Sequence, residues 1–219
     1  MNAIAVWGFR SVPSFAQGLV RDLRVRWALH EAGLPYEARL IGAEERTSPA
    51  HRKRHPFGMV PVFEADGRQL IESGAIVYAI AKKSVALMPE DEPGRDQTLA
   101  WMFAALNTID VPVQDLFDVD VLHRAETWAQ LRRPDVVKAV QVRLSELADA
   151  LGARDYLLGR FTAADVLMVT VLRFLRHTDL VASVPSLAAY VARCEARPAF
   201  QDALGEQMAE YGLNAPAAA

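Results

Sequence analysis

Between His55 and Ile76 the chain reads HPFGMVPVFEADGRQLIESGAI, and this segment holds the residues best placed to do chemistry. Val60-Pro61 is an Xaa-Pro pair, the one kind of peptide bond that adopts cis at modest cost. A cis bond there would leave the Val60 N–H and C=O unpaired at a sheet edge, where an extended peptide can add as a further strand. Val62-Phe63 and Leu70-Ile71 read as short strands around a turn at Asp66-Gly67. Glu72-Ser73 then opens a helix. Ser73 there offers a hydroxyl, an amide and the positive end of the helix dipole to a carboxylate. Glu72 beside it can accept an ammonium group. Each piece alone has an ordinary explanation: a turn, a helix cap, a solvated acid. Their order within one strand–turn–strand–helix unit is what points to a receptor for an extended peptide carrying a carboxylate and an ammonium close together.

The elements that must position these residues come next. Ala3 to Phe9 is short and apolar, as a buried first strand is. Phe15 to Ala32 repeats apolar residues at helical spacing (Phe15, Leu19, Leu23, Trp27), and Gly33 and Pro35 end it. Tyr36 to Ile41 reads as a second strand, so the helix between makes a right-handed parallel crossover. Past the proline-bounded Met88 to Pro93 only helical patterns follow: Gly94 to about Leu116, Pro134 to Leu151, Thr162 to about His177, Pro185 to Ala196 and Pro198 to about Gln207. Pro134, Pro185 and Pro198 are expected in first turns. Thr162 and Asp165 form a capping signal before an apolar run. The tail beyond Leu213 reads as disordered.

The β-α-β-loop-β-β-α order, the Val-Pro and Glu-Ser pairs, the Arg26 to Tyr36 stretch and the Arg160 to Asp165 segment together resemble the glutathione S-transferase superfamily, and the resemblance covers nearly the whole chain. It implies a thioredoxin-like α/β domain over 1–83 and an all-helical domain over 93–213. It implies that Val60, Pro61, Glu72 and Ser73 bind glutathione, the co-substrate, whose thiolate attacks a small electrophile. It also implies a homodimer, with the apolar Leu99 to Leu106 helix covering part of a partner. The corresponding basic run, His51 to His55, contributes contacts to the glycine carboxylate in this family. Here it reads mostly as a solvated loop, with His51 or Lys53 as the candidate contact.

One part of the pattern is missing. The family usually places a Tyr, Ser or Cys just after the first strand to hydrogen-bond the glutathione sulfur and favour its thiolate. Counting back from Arg26-Trp27-Ala28-Leu29, that register falls on Leu19, which cannot donate. The segment before it, Arg10 to Gly18, is longer than usual and carries Ser11 and Ser14. Ser14 is the candidate catalytic hydroxyl; Ser11, or backbone amides of the insertion, are the alternatives, and Arg21 and Arg24 can add positive potential. The same gap leaves room for a non-catalytic glutathione- or ligand-binding module, or for a glutathione-dependent disulfide or peroxide reductase.

Composition narrows the setting. A net charge of −3 argues against nucleic acid as a partner. The apolar runs are too short to span a bilayer, and MNAIAVWGFR lacks the features of a signal peptide. One cysteine, Cys194, excludes an intramolecular disulfide framework and suits a reducing, cytoplasmic setting. The five histidines show no metal-binding spacing, so no metal is expected.

Overall fold

The computed structural model describes residues 3–213; the tail expected to be disordered lies outside them. A four-stranded mixed sheet runs in the order β2-β1-β3-β4. It is built from β1 (Ile4–Phe9), β2 (Tyr36–Ile41), β3 (Val62–Ala65) and β4 (Arg68–Ile71). β1 pairs parallel with β2, Ile4 opposite Tyr36, and antiparallel with β3, Val6 opposite Phe63. The β3–β4 hairpin closes at Asp66-Gly67 with φ of 51° and 71°. That left-handed pair is the one whose twist matches the flanking strands, which is why Asp-Gly stands there.

Helix α1 spans Asp22–Glu31, shorter at its front end than the periodicity predicts. Ser14–Ala16 makes a single 3-10 turn instead. Gly18 follows at φ 71°, a conformation no regular right-handed helix contains. The apolar residues Phe15 and Leu19 therefore keep helical spacing without belonging to the helix. From Asp22 to Leu29 every residue of α1 is buried, because α3 (Ser73–Ala81) and the last helix, α9 (Pro198–Leu213), both pack on it.

The α9 contacts are specific. The Phe200 ring meets Trp27 edge-on at 4.8 Å. Arg26 forks onto Glu210 at 2.9 and 2.7 Å and also donates to Asp22 at 2.8 Å. Gln207 donates to the other Asp22 oxygen at 2.8 Å. A Cβ on Gly8 would lie 2.9 Å from the Asp22 carboxylate, so β1 tolerates this buried polar cluster because it has no side chain there. The chain divides into two compact units, Met1–Leu87 with Pro198–Ala219, and Met88–Arg197. The last helix follows the helical half in sequence, yet it packs on α1 and falls in the same compact unit as the sheet. Its own periodicity does not say which neighbour it meets.

The second unit is helical: α4 (Glu92–Phe103), α5 (Asp110–Phe117), α6 (Thr127–Leu151), α7 (Ala163–Leu172) and α8 (Pro185–Glu195). π-helical segments, Ala104–Ile109 and Asp118–Leu122, flank α5 and make it continuous with α4. Such bulges are rare and re-aim the side chains around them. Pro134 is a correction: it sits inside α6, not in its first turn. The residues around it are exposed, with buried Ala129 and Val136 on either side, and the helix runs on through the proline. Every residue of α7 is buried. Its start carries the capping box that the sequence shows: the Thr162 N–H and hydroxyl donate to Asp165 at 2.8 and 3.1 Å. Asp165 also accepts from the Leu157 N–H at 3.1 Å and the Tyr190 hydroxyl at 2.9 Å. Cys194 is buried, and that burial pushes its thiol up, as expected of a small packed hydrophobe. No helix among the described residues is long and apolar enough to cross a membrane.

Candidate functional site

Val60-Pro61 is a cis peptide bond. Both residues are buried and stand just before β3, ahead of its paired register with β1 and β4. The basic run before them is a correction to the loop reading. Pro49–Arg54 forms helix α2, with Pro49 in its first turn and the Ser48 hydroxyl accepting from the His51 N–H at 3.1 Å. Two of its supposed surface groups are interior: His51 is 1% and His55 3% exposed. Lys53 remains at the surface.

The loop from α2 to Val60 is fixed by side chains reaching its carbonyls. Arg52 donates to Pro56 O at 2.7 Å and Arg46 to Gly58 O at 3.0 Å. His51 Nε2 lies 3.0 Å from Met59 O. Gly58 has φ 63°, and a Cβ there would fall 2.5 Å from the Arg46 carbonyl oxygen. Glycine is required for that approach.

On the other side of the hairpin, Glu72 caps α3 with φ 67° and ψ 113°. A non-glycine residue in that region is strained and is held by its surroundings. Its carbonyl accepts from the Ile76 N–H at 2.9 Å while its side chain is exposed and makes no cap of its own. Ser73, the first residue of α3, is buried. The helix start leaves its first-turn amides without intrahelical acceptors, a favourable place for an anion. Behind Ser73 stands Arg24, 2% exposed, whose Nη1 donates to the Ser73 hydroxyl oxygen at 3.2 Å. The sequence reading expected Arg24 only to add positive potential; its burial and its partner both come from tertiary packing on α1.

Comparison with known proteins bears on what this arrangement is. The family described as "Glutathione S-transferase, N-terminal domain" matches residues 23–86, and "Glutathione S-transferase, C-terminal domain" matches residues 124–198. The maleylacetoacetate isomerase of Rhizobium meliloti is 30% identical over 190 residues, 82% of this chain and 89% of that protein. The chain belongs to the glutathione S-transferase superfamily. Glutathione S-transferase 4 of Zea mays is 29% identical over 214 residues, 90% of each chain. The glutathione-bound theta-class glutathione S-transferase of Xanthomonas axonopodis pv. citri superposes with a TM-score of 0.75 at 27% identity. That match covers 93% of this chain and 98% of the other.

Within this glutathione S-transferase fold, the sulfur-donor candidates stand differently from the sequence expectation. Ser14 is exposed and opens the 3-10 turn, well ahead of α1, so the dipole of α1 does not start beside it. Its side chain is no cap for α1, whose N-cap is Arg21. Leu19 is buried at 6% exposure. Two amides of the insertion are already used, Ala16 to Pro13 O at 2.9 Å and Gln17 to Ser14 O at 3.3 Å, and the Leu19 amide just after it donates to Ala16 O at 3.0 Å. Among the described residues there is no group of three or more His, Cys, Asp or Glu side chains able to hold a metal ion.

Proposed function

We propose that the protein is a glutathione transferase that uses the glutathione thiolate as nucleophile against a small electrophile. The observation that carries this reading is the arrangement of Arg24, Ser73 and Glu72 at the start of α3. A buried hydroxyl at a helix start, backed by the Arg24 guanidinium, stands next to an exposed Glu72 on strained backbone. In this reading Ser73 and the first amides of α3 take the γ-glutamyl carboxylate, and Glu72 takes the ammonium. The Val60 backbone pairs with the cysteinyl residue, Pro61 shaping the turn, so the thiol is delivered toward the Arg10 to Leu19 segment.

There Ser14 is the proposed donor to the sulfur, with Ser11 or the remaining amides of the insertion as the alternative. A donor aimed at the sulfur stabilises the thiolate over the thiol and makes more of the nucleophile at neutral pH. The curated relatives include both a transferase and an isomerase. Attack on a carbon electrophile begins either outcome: the adduct is released in conjugation and collapses after bond rotation in isomerisation. We further propose that the protein works as a cytoplasmic homodimer.

A second reading, a glutathione-binding module without catalysis, is favoured by one observation: Leu19, buried and unable to donate, occupies the usual donor register. Calorimetric titration with glutathione, followed by conjugation assays over a panel of electrophiles, separates the two. Micromolar binding with turnover supports the enzyme; binding without turnover supports the module; absence of binding removes both.

A further inference from the structure

The proposed glutathione contacts leave two buried imidazoles beside them unused. His51 lies on α2 and His55 is its C-cap. His51 Nε2 faces the Met59 carbonyl, so that nitrogen carries the hydrogen and donates. At His55 the geometry runs the other way. The Phe57 N–H approaches Nδ1 at 3.3 Å, and an N–H can only donate. His55 Nδ1 is therefore the acceptor, and the ring is the neutral tautomer protonated at Nε2. The His55 carbonyl accepts from the Gly58 N–H at 2.8 Å, and the Phe57 ring stands edge-on to the imidazole at 6.0 Å. The two histidines thus grip both ends of the short loop, Phe57 to Met59, that leads directly into Val60-Pro61.

The charges acting on His55 come from two sides. Glu72, at the junction of β4 and α3, favours the imidazolium; His51 and Arg52, on α2, oppose it, and burial opposes it most. The net result holds the imidazole below its ordinary range, so it is neutral at neutral pH.

We infer that His55 is a positioning residue for the ligand-binding loop, and that a proton added to its Nδ1 releases the loop and weakens binding of the γ-glutamyl peptide. Protonation turns Nδ1 from acceptor to donor, so two N–H groups face each other and the Phe57 amide loses its partner. The same proton places a cation near Glu72, where the ligand's ammonium would sit. Both effects have one sign. This inference rests on the reading that glutathione occupies the Glu72-Ser73 site.

The test has two arms. Affinity is measured by calorimetry from pH 5 to 8 on the wild type and on His55→Asn, whose side-chain oxygen can still accept from Phe57 but cannot titrate. The affinity followed is that of S-methylglutathione in place of glutathione, because a bound thiol would itself ionise in this range. This probe carries no group that titrates between about pH 5 and 7, its carboxyls ionising below about 4 and its amine above about 7.7. The wild type should lose affinity by up to about tenfold per pH unit once pH falls below the folded-state value of His55. His55→Asn should stay level over that window. In parallel, the histidine resonances and the Phe57 and Gly58 amides of the ligand-free protein are followed by NMR. They should move together, on the acid side of about 6.5. An acid loss of affinity that persists in His55→Asn, or amides that ignore the His55 titration, overturns the inference. If neither S-methylglutathione nor glutathione binds at any pH, the functional reading falls, and the NMR arm alone still decides whether His55 braces the loop.

Discussion

Arg24 and Ser73 stand 49 positions apart in the chain and meet through a buried hydrogen bond of 3.2 Å, guanidinium to hydroxyl oxygen. The direction of that bond matters. By occupying a lone pair of the serine oxygen, Arg24 leaves the hydroxyl proton free to point outward, so Ser73 is set as a donor and not an acceptor. A donor at a helix N-terminus with a cation behind it selects a carboxylate over a neutral or cationic group.

The first prediction follows from that arrangement. Losing one partner of a charge-assisted hydrogen bond typically costs about 1.5–3 kcal/mol, so Ser73→Ala should weaken glutathione binding roughly tenfold or more. Arg24→Met should weaken it too, but much less when Ser73 is already alanine, since the arginine acts through that hydroxyl. A double-mutant cycle measured by calorimetry, with circular dichroism to confirm folding, reads the coupling. Strictly additive losses would show that Arg24 serves only the packing of α1.

A stability prediction concerns Asp165, which accepts from Thr162 twice, from Leu157 and from Tyr190 in a fully buried setting. Each buried donor left without its acceptor costs about 1–3 kcal/mol. Asp165→Ala should therefore lower unfolding stability by at least about 3 kcal/mol. Asp165→Asn, which keeps one acceptor oxygen, should lose less. Urea denaturation checks both, and a loss below about 1 kcal/mol in the alanine variant would remove Asp165 from its structural role.

These particulars show what was legible in the chain. The capping box, the Asp-Gly hairpin and the Glu72-Ser73 helix start are local, set by residues within a few positions of one another, and local chemistry survives in sequence. Two features went astray for physical reasons. The apolar spacing from Phe15 to Leu19 matches a helix, yet Gly18 at positive φ breaks it, and periodicity does not register backbone dihedrals. The basic run at His51 to His55 looks solvated because charge dominates it. His51 and His55 each bond the backbone of the following loop and go inside, while their lysine and arginine neighbours stay closer to the surface. Long-range partners, Arg24 with Ser73 and Arg26 with Glu210, are set by tertiary packing and had no local signature.

A third prediction addresses assembly. Phe103 is 56% exposed at the end of α4, and Val111 is 63% and Val142 48% exposed on the neighbouring helices of the same unit. Apolar side chains left open in this way are candidates for coverage by a second copy. Light scattering at micromolar concentration should give about twice the 24.2 kDa chain mass, and Phe103→Glu should shift the population toward monomer. A wild type that runs as a clean monomer refutes the proposal.

The catalytic prediction carries most of the mechanism. If Ser14 donates to the glutathione sulfur, Ser14→Ala should slow conjugation by about 10²–10³-fold, the usual cost of removing an oxyanion-type donor. The pH dependence of the rate should shift upward, because the bound thiol would then need a higher pH to ionise. Glutathione affinity should hardly change, since the γ-glutamyl contacts remain. If backbone amides hold the sulfur instead, the substitution touches only an exposed turn residue that caps no helix, so rate, pH profile and stability should all stay near wild type. The turn itself narrows that alternative, because the Ala16 and Gln17 amides of the insertion, and the Leu19 amide just after it, are bonded to carbonyls within that segment. Stopped-flow rates against pH for the wild type, Ser14→Ala and Ser11→Ala distinguish the three cases. An unshifted profile in both serine variants assigns the thiolate to the remaining backbone of the insertion.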